Sequence, residues 1–539
     1  MPSIPVFDAN TYRYPSKRHL TYAARGMVCT SQPLASQAGL RMIQMGGNAI
    51  DAALAAAICL TVVEPTSNGL GSDCFAQIWS QGKLHAINGS GYAPERLTTK
   101  TLREASLTQI PFRNWHAVTI PGAPSAWAMI HEKFGKLPFQ TLFEPAIEYA
   151  KNGFALTPTI ARFWREGYKD LSPFRDEPAI RPWFETFIPD GRIPQTGDII
   201  KLPDHAKTLE ILAQSHCEDF YRGDIAREIV RFSKQTSGFI EKDDLESYRA
   251  QWVEPVQIDY HGYRISELPP NGHGIVALMA LNILKHCPLD KRDTPQTFHT
   301  QIEAMKLAFA DGMQFIADPN FMKTRVEDLL SEDYAKSRLK CIKKYAQIPT
   351  HGTPFSGGTV YLATADGDGN MVSFIQSNYK DFGAGVVLPG CGINFNDRGA
   401  CFSLDPKSDN CLAPRKKPYH TIIPGFLLKG DLPVGPFGVM GAYMQPQGHV
   451  QVVSNLIDFH LNPQEALDAP RWQWLKDNTV ALEANVGKSI AQNLLKRGHD
   501  IHIRRDDTSF GRGQIILRLE NGALVGATEP RADSNIAVC

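Results

Sequence analysis

The sequence feature that most constrains this chain is a pair of glycines followed by a threonine, Ser356-Gly357-Gly358-Thr359, which opens a β-type run. Glycine has no Cβ, so the backbone here can adopt a strained conformation that exposes the Gly358 carbonyl to a neighbouring hydroxyl. Cleavage before Thr359 would give that residue a nucleophilic hydroxyl and a free α-amine. This amine titrates near ~8 and can act as general base for its own side chain. The same residues are also compatible with an ordinary turn before a strand.

The composition is that of an ordinary globular enzyme. The 539 residues are 43% hydrophobic and 21% charged, and 56 basic residues balance 56 acidic ones. A chain without net positive charge is not expected to have nucleic acid or an anionic membrane as its main partner. The longest apolar stretch, residues 52–63, is too short to span a bilayer and predicts a buried helix.

The chain shows no signal for export, for a metal or for a cofactor. Residues 1–8 lack the charged and apolar regions of a secretory signal, and the ten cysteines show neither a C-x-x-C pair nor zinc spacing. The dinucleotide fingerprint, the P-loop, H-E-x-x-H and G-x-S-x-G are also absent from the sequence. We therefore expect a cytoplasmic protein with reduced thiols, no cofactor and no metal.

Local patterns predict helices flanking two blocks of strands. Helices are expected at residues 36–45, 51–63, 127–134, 142–152, 206–214, 275–284, 297–316, 444–459 and 463–469. Strands are expected at 27–30, 74–79, 514–519 and 523–527, and as several short strands within 359–400 around a tight turn at 366–370. Residues 323–355 predict an exposed connector that is accessible to processing. This order favours a layered α/β sandwich over a doubly wound sheet.

Short motifs along nearly the whole chain are shared, in order, with one known family. They include Gly46-Gly47-Asn48-Ala49-Ile50-Asp51-Ala52-Ala53, Leu268-Pro269-Pro270, Gly357-Gly358-Thr359, Asp368-Gly369-Asn370 and Glu529-Pro530-Arg531-Ala532-Asp533. In these motifs the sequence resembles the γ-glutamyltranspeptidase family of N-terminal-nucleophile hydrolases. The resemblance implies an α/β (α+β) fold, a four-layer αββα sandwich.

The resemblance also implies a cleavage site and catalytic residues. Autocleavage between Gly358 and Thr359 would give a large subunit, 1–358, and a small subunit, 359–539, that form one intertwined domain. Thr359 would be the nucleophile, and Ser377 stands where the family has a second hydroxyl bonded to it, although it is also compatible with an ordinary strand residue. Gly441 and Ala442 stand where two family glycines form the oxyanion hole through their backbone N–H groups, and alanine retains that donor.

The substrate-binding positions depart from the family pattern. Ser90 occupies the position of an arginine that holds the γ-glutamyl carboxylate, and His420 and Thr421 replace two serines. In the family, an Asn, a Gln and an Asp hold the glutamyl α-amine. The residues at these three positions here are Tyr379, Arg398 and Cys401, and neither Arg398 nor Cys401 offers an anion to an ammonium group.

What remains suits an acyl group with a carboxylate and no amine. Arg398 and His420 could hold that carboxylate together, with Tyr379 and Thr421 as neutral donors. Tyr379 and Arg398 are equally compatible with packing or solvated roles.

Two further segments refine the expected function. Gln376-Ser377-Asn378-Tyr379 and Gln445-Pro446-Gln447-Gly448-His449 resemble a cytosolic branch of the family that includes oxamate amidohydrolases. We therefore expect a self-processing threonine amidohydrolase whose partner is a small oxamate-like amide. The two cleaved subunits are expected to form a heterodimer, and a dimer of heterodimers is left open. The alternatives are γ-glutamyl hydrolysis or transfer on glutathione, a glutaryl-type acylase, and a non-catalytic relative.

Overall fold

The computed structural model describes residues 18–349, 358–506 and 508–539. Gly357 lies outside these residues, and Gly358 is the first residue of a strand. The strands in the described residues are β1 Thr21–Ala23, β2 Gly26–Thr30, β3 Asp73–Ser80, β4 Lys83–Gly89, β5 Phe154–Ala155, β6 Ile199–Ile200, β7 Gln251–Val253, β8 Val256–Tyr260, β9 Tyr263–Glu267, β10 Gly358–Asp366, β11 Met371–Tyr379, β12 Val387–Leu388, β13 Ile393–Asn394, β14 Gly425–Lys429, β15 Leu432–Met440, β16 Trp472–Lys476, β17 Thr479–Glu483, β18 Asp500–Arg504, β19 Arg512–Arg518, β20 Leu524–Thr528 and β21 Asn535–Val538.

Helices fill most of the chain between the strands. In the described residues they are α1 Pro33–Gln44, α2 Ala49–Val63, α3 Thr99–Glu104, α4 Ala123–Phe134, α5 Glu144–Asn152, α6 Pro158–Leu171, α7 Arg181–Phe187, α8 Pro203–Gln214, α9 Glu218–Arg222, α10 Asp224–Gln235, α11 Lys242–Glu246, α12 Gly274–Leu284, α13 Pro295–Phe315, α14 Val326–Leu329, α15 Glu332–Leu339, α16 Met444–Ile457, α17 Pro463–Asp468 and α18 Lys488–Lys496. None of the helices in the described ranges is long and apolar enough to cross a membrane.

Two seven-stranded antiparallel sheets form the middle of the molecule. The first has the order β1-β20-β19-β15-β14-β9-β8, and the second has the order β21-β2-β10-β11-β3-β4-β7. The sheets face each other closely: a Cβ on Gly438 of β15 would lie 2.4 Å from the ring of Tyr361 of β10. They are also joined by hydrogen bonds, because Gln77 Nε2 in β3 donates to the Ser266 carbonyl in β9 and Ser266 Oγ donates to Gln77 Oε1.

Helices cover both outer faces of this pair of sheets. Helices α1 and α2 pack on the second sheet, and α12 and α16 pack on the first. Every residue of α2 is buried, since α1, α5 and the sheet surround it. Its first turn is closed by a capping box, in which Asn48 accepts from the Asp51 backbone and the Asp51 carboxylate accepts from the Asn48 backbone. The predicted four-layer αββα fold is confirmed.

The predicted helices are all present, with ends shifted by at most four residues. The prediction of several short strands within 359–400 is wrong in part, because β10 and β11 are nine residues each and only β12 and β13 are short. Both long strands are buried on their two faces, so no alternation of apolar and polar residues marks their length. The tight turn after Asp366 is confirmed, and residues 350–355 of the predicted connector lie outside the described residues.

Residues before and after Gly358 are interleaved in both sheets. In the second sheet β10 lies between β2 and β11, and β11 lies between β10 and β3. In the first sheet β14 pairs with β9, and β1 pairs with β20. A cut in the chain before Thr359 would therefore leave the two parts held together by strand pairing on several edges.

One buried histidine makes the fold sensitive to acid. His205 of α8 is fully buried, and neither of its ring nitrogens has a hydrogen-bond partner within the described residues. Burial lowers the pKa of His205 to about 4, whereas a histidine in the unfolded chain titrates near ~6.5. Between these two values the unfolded chain binds more protons than the folded one, so the free energy of unfolding falls as the pH falls.

We predict that His205→Leu reduces this loss of stability in acid. Leucine takes up no proton on unfolding, so the fall in unfolding free energy between pH 7 and pH 4 should shrink by about 3 kcal/mol. Denaturant titrations of both proteins at the two pH values measure the change. Equal losses in the variant and the parent protein would contradict the assignment.

Candidate active site

Three residues of the predicted site, together with Asp73, lie in a row across neighbouring strands of the second sheet. Thr359 of β10 sits at a bulge opposite the end of β11, where the register shifts between Gly358 and Val360. Ser377 of β11 pairs with Asp73 of β3. Ser90 follows directly after β4, whose last residue Gly89 pairs with Cys74. The row Thr359, Ser377, Asp73 and Ser90 therefore marks one end of the sheet.

The hydroxyls of Thr359 and Ser377 are in contact. Their oxygen atoms lie 3.1 Å apart, and both side chains are inaccessible to solvent. Ser377 Oγ also accepts a hydrogen bond of 2.7 Å from the backbone N–H of Tyr379. A hydroxyl can accept and donate at the same time, so either oxygen of the Thr359–Ser377 pair can act as the donor.

A buried ion pair lies beside these hydroxyls. Arg398 donates from Nε to Asp73 Oδ2 over 3.0 Å and from Nη2 to Asp73 Oδ1 over 3.4 Å, and both side chains are fully buried. Burial raises the pKa of the Asp73 carboxyl, but the adjacent Arg398 and His420 outweigh it and hold that pKa below its ordinary value. Asp73 is therefore charged and neutralises Arg398.

His420 lies on the other side of the same carboxylate. Its Nε2 is 2.8 Å from Asp73 Oδ2, and its Nδ1 accepts from the backbone N–H of Ile422 over 3.4 Å. Nδ1 is therefore unprotonated, and Nε2 carries the proton that faces Asp73. Burial, reinforced by the charge of Arg398, lowers the pKa of His420 to about 4. The histidine is neutral at physiological pH, and it does not add a positive charge to the site.

Tyr379 and Thr421 complete the surroundings of Arg398. The guanidinium carbon lies 4.6 Å from the centre of the Tyr379 ring, a cation–π arrangement, and Nη1 donates to Thr421 Oγ1 over 2.6 Å. A guanidinium has five N–H groups, and the contacts to Asp73 and Thr421 engage three of them. The Cys401 side chain is also hydrogen-bonded to Arg398, so the guanidinium is held by partners on several sides.

Ser90 is joined to the site through an asparagine. Its hydroxyl lies 3.1 Å from Asn271 Nδ2, and the same amide nitrogen donates to the Pro418 carbonyl. The backbone carbonyl of Asn271 accepts a hydrogen bond of 2.9 Å from the backbone N–H of His420. Ser90 thus supports the chain segment that carries His420.

The predicted oxyanion residues form the turn that leads into α16. Gly441 has φ +138° and Ala442 has φ +51°, so both occupy backbone conformations that favour glycine. Neither backbone N–H donates a hydrogen bond to any other residue described in the structure. Gln445, three residues after Ala442, places its Nε2 3.4 Å from Thr359 Oγ1. The turn and its two N–H groups therefore lie at the same end of the sandwich as Thr359.

Two residues of this site were missed by the sequence analysis. Asp73 directly precedes the strand predicted at 74–79 and was not assigned to the site, although a charged residue at the start of a buried strand is unusual. Gln445 was noted as part of a segment shared with a family branch, but nothing in its local sequence connects it with Thr359. Both contacts join residues that are far apart in the chain.

A group of potential metal ligands lies away from this site. Within the described residues, His299, Glu303 and His499 are buried together. His299 Nε2 donates to the Lys343 carbonyl over 2.7 Å, and its Nδ1 lies 2.8 Å from His499 Nε2. Lys306 Nζ lies 2.6 Å from Glu303 Oε1. The two histidines are therefore hydrogen-bonded to each other, and Glu303 is paired with Lys306.

Comparison with known proteins places the chain among amide hydrolases. The family model described as Gamma-glutamyltranspeptidase matches residues 35–539. The Glutathione hydrolase-like YwrD proenzyme of Bacillus subtilis (strain 168) is 34% identical over 518 residues, which cover 94% of this chain and 97% of that protein. The Oxamate amidohydrolase proenzyme of Klebsiella pneumoniae subsp. pneumoniae is 33% identical over 528 residues, with coverage of 96% and 98%.

A solved structure shares the whole architecture. The crystal structure of a cephalosporin acylase from Bacillus halodurans aligns with a TM-score of 0.97 and 53% sequence identity, and the alignment covers 99% of each chain. The similarity thus extends over both sheets and both helical layers. These proteins carry different substrate names, so similarity indicates the reaction class more closely than the substrate.

We predict that the Asp73–Arg398 pair behaves as one coupled unit. Either Asp73→Asn or Arg398→Met alone leaves one buried charge without its partner. Each single variant should therefore lower the free energy of unfolding by about 3–5 kcal/mol. The double variant removes both charges and should lose less than the sum of the two single losses. Denaturant titration of all four proteins measures this coupling, and strictly additive losses would show that the pair is not coupled.

Proposed function

The chain belongs to the Gamma-glutamyltranspeptidase family, as its motifs predicted, and we propose that it is a self-processing amidohydrolase with Thr359 as its nucleophile. Its substrate would be a small amide whose acyl part carries a carboxylate. The observation that carries the proposal is the contact of 3.1 Å between the Thr359 and Ser377 hydroxyls, at a threonine that directly follows glycine at the start of a central strand.

Maturation would proceed by an intramolecular acyl transfer. Thr359 Oγ1 attacks the carbonyl carbon of Gly358, the peptide C–N bond breaks, and the nitrogen takes a proton to become the α-amine of Thr359. Water then hydrolyses the resulting ester and releases Gly358 as a new carboxyl terminus. The products would be the large subunit, 1–358, and the small subunit, 359–539.

Turnover would use the amine that cleavage creates. The α-amine accepts the proton of Thr359 Oγ1 while this oxygen attacks the substrate carbonyl, and the N–H groups of Gly441 and Ala442 stabilise the tetrahedral oxyanion. The amine then passes its proton to the leaving nitrogen. Water attacks the acyl-enzyme, and the carboxylic acid product leaves.

The charges near Thr359 support a carboxylate on the acyl part. Arg398 is the cation next to the row of hydroxyls, and its contacts to Asp73 and Thr421 use three of its five N–H groups. The planar fork of a guanidinium suits the two oxygens of a carboxylate. The name of the Klebsiella pneumoniae relative fits this class, since oxamate is an amide with a carboxylate and no amine.

A second candidate is γ-glutamyl hydrolysis. Here the specific observation is Asp73, an anion that the sequence analysis did not place in the site. Among the described residues its Oδ1 receives only the longer contact from Arg398, 3.4 Å, so it retains capacity to accept from an α-ammonium group. The name of the Bacillus subtilis relative, glutathione hydrolase-like, belongs to this alternative.

We predict that Thr359→Ala abolishes both maturation and amide hydrolysis. The parent protein should appear in denaturing mass analysis as fragments of about 40 and about 20 kDa, because the two parts share 59.7 kDa roughly in proportion to their length. The variant should remain one chain. Thr364→Ala is the matched control, since Thr364 lies in the same strand and its hydroxyl donates to the Ala49 carbonyl. Cleavage of the Thr359→Ala protein at this junction would refute the nucleophile.

We predict that the mature enzyme hydrolyses glutaryl p-nitroanilide faster than γ-glutamyl p-nitroanilide. The two acyl groups differ only in the α-amine, which would meet the paired cation Arg398, so kcat/KM should differ by about tenfold or more. Release of ammonia from oxamate tests the smallest member of the class. A preference for the γ-glutamyl compound would instead establish the second candidate.

A further inference from the structure

A glutamine from a different element points at the same oxygen as Ser377. Gln445 lies in the first turn of α16 and is fully buried. Its Nε2 donates to Thr359 Oγ1 over 3.4 Å. Ser377 Oγ lies 3.1 Å from that oxygen. Two polar side chains therefore converge on the atom that forms and breaks the acyl bond.

The orientation of the Gln445 amide is fixed from its other end. Its Oε1 accepts a hydrogen bond of 2.9 Å from the backbone N–H of Ile423. Rotation of the amide by 180° would place the NH2 group against this N–H donor and an acceptor oxygen towards Thr359, which costs the hydrogen bond at Ile423. The N–H group is thus held towards Thr359 before any substrate arrives.

A donor in this position acts on the charge that develops at Oγ1. When water attacks the acyl-enzyme, the bond between the carbonyl carbon and Oγ1 breaks, and its electron pair remains on Oγ1 until the α-ammonium returns a proton. An N–H group aimed at this oxygen stabilises the negative charge in the transition state without reorganisation. The same reasoning applies when Oγ1 loses its proton in order to attack.

We propose that Gln445 is a catalytic residue whose side-chain N–H group stabilises Thr359 Oγ1, both in autocleavage and in turnover. The inference rests on the proposed nucleophile, Thr359, but not on any particular substrate. Autocleavage requires no added substrate, so it tests the role of Gln445 independently of the acyl group that the mature enzyme accepts.

The first experiment follows autocleavage of Gln445→Met in a pulse-labelled cell-free translation. Methionine fills a similar volume without an N–H donor, so cleavage should slow by about 100-fold, and hydrolysis by any mature enzyme should slow similarly. The matched control is Gln447→Met. Gln447 is a buried glutamine on the same helix, and its side-chain hydrogen bonds within the described part of the chain go to backbone groups of Tyr443 and Trp474.

The second experiment separates a catalytic from a structural role by the dependence on pH. In Gln445→Glu, the protonated carboxylic acid can accept from Ile423 and donate to Thr359, as the amide does, whereas the carboxylate cannot donate. Burial raises the pKa of such a carboxyl above its usual ~4.3. The rate of the variant relative to the parent protein should therefore rise as the pH falls, and Gln445→Met should show no such rise.

The outcomes are distinct. Normal cleavage of Gln445→Met, with cleavage of Thr359→Ala blocked, would overturn the inference and leave the nucleophile in place. Cleavage of Thr359→Ala would overturn the nucleophile itself. Equal slowing of Gln445→Met and Gln447→Met, together with a rate ratio for Gln445→Glu that does not change with pH, would show that Gln445 acts only through the structure of the helix.

Discussion

The position of β10 in the middle of the second sheet is the constraint on which the candidate site depends. The strand pairs with β2 on one side and β11 on the other. Its far end is fixed by side chains, because Asp366 Oδ2 accepts from the Ala49 backbone and Thr364 Oγ1 donates to the Ala49 carbonyl. The pairing with β2 covers Leu362 to Asp366, whereas the pairing with β11 extends from Ala365 back to Val360 and Gly358. The contacts with β11 would therefore keep the first residues of β10 in place even if the chain is cut before Thr359. The proposed N-terminal nucleophile would therefore be ordered.

Charge is the second constraint, because the end of the sheet near Thr359 is fully buried. An unpaired ion there would cost several kcal/mol. Asp73 meets this requirement by pairing with Arg398, and His420 remains neutral since burial lowers its pKa to about 4. The two charges of this pair compensate each other, and Asp73 holds the Arg398 guanidinium in a fixed orientation. A substrate carboxylate would thus be recognised through donors that are already oriented, at a lower cost than ordering a free arginine.

The family resemblance predicted the four layers of the fold and placed Ser377 beside Thr359. Helical periodicity predicted other helices, and the apolar run at 52–63 predicted the buried helix α2. The sequence was less informative where burial removes periodicity, as in β10 and β11. Asp73 and Gln445 could not be predicted as neighbours of Arg398 and Thr359, because 325 residues separate Asp73 from Arg398 and 86 separate Gln445 from Thr359. Only strand pairing and helix packing bring such positions together.

The arrangement also divides the proposed site between the two parts of the chain. Thr359, Ser377 and Gln445 come from the part after Gly358, and so does Arg398. Asp73, which neutralises and orients Arg398, comes from the part before it. The proposed catalytic residues and the anion that pairs with Arg398 therefore belong to different products of the proposed cleavage. Substitutions before Gly358 can then change which acyl group is accepted while the contacts at Thr359 Oγ1 stay intact, which is consistent with one architecture serving relatives with different substrate names.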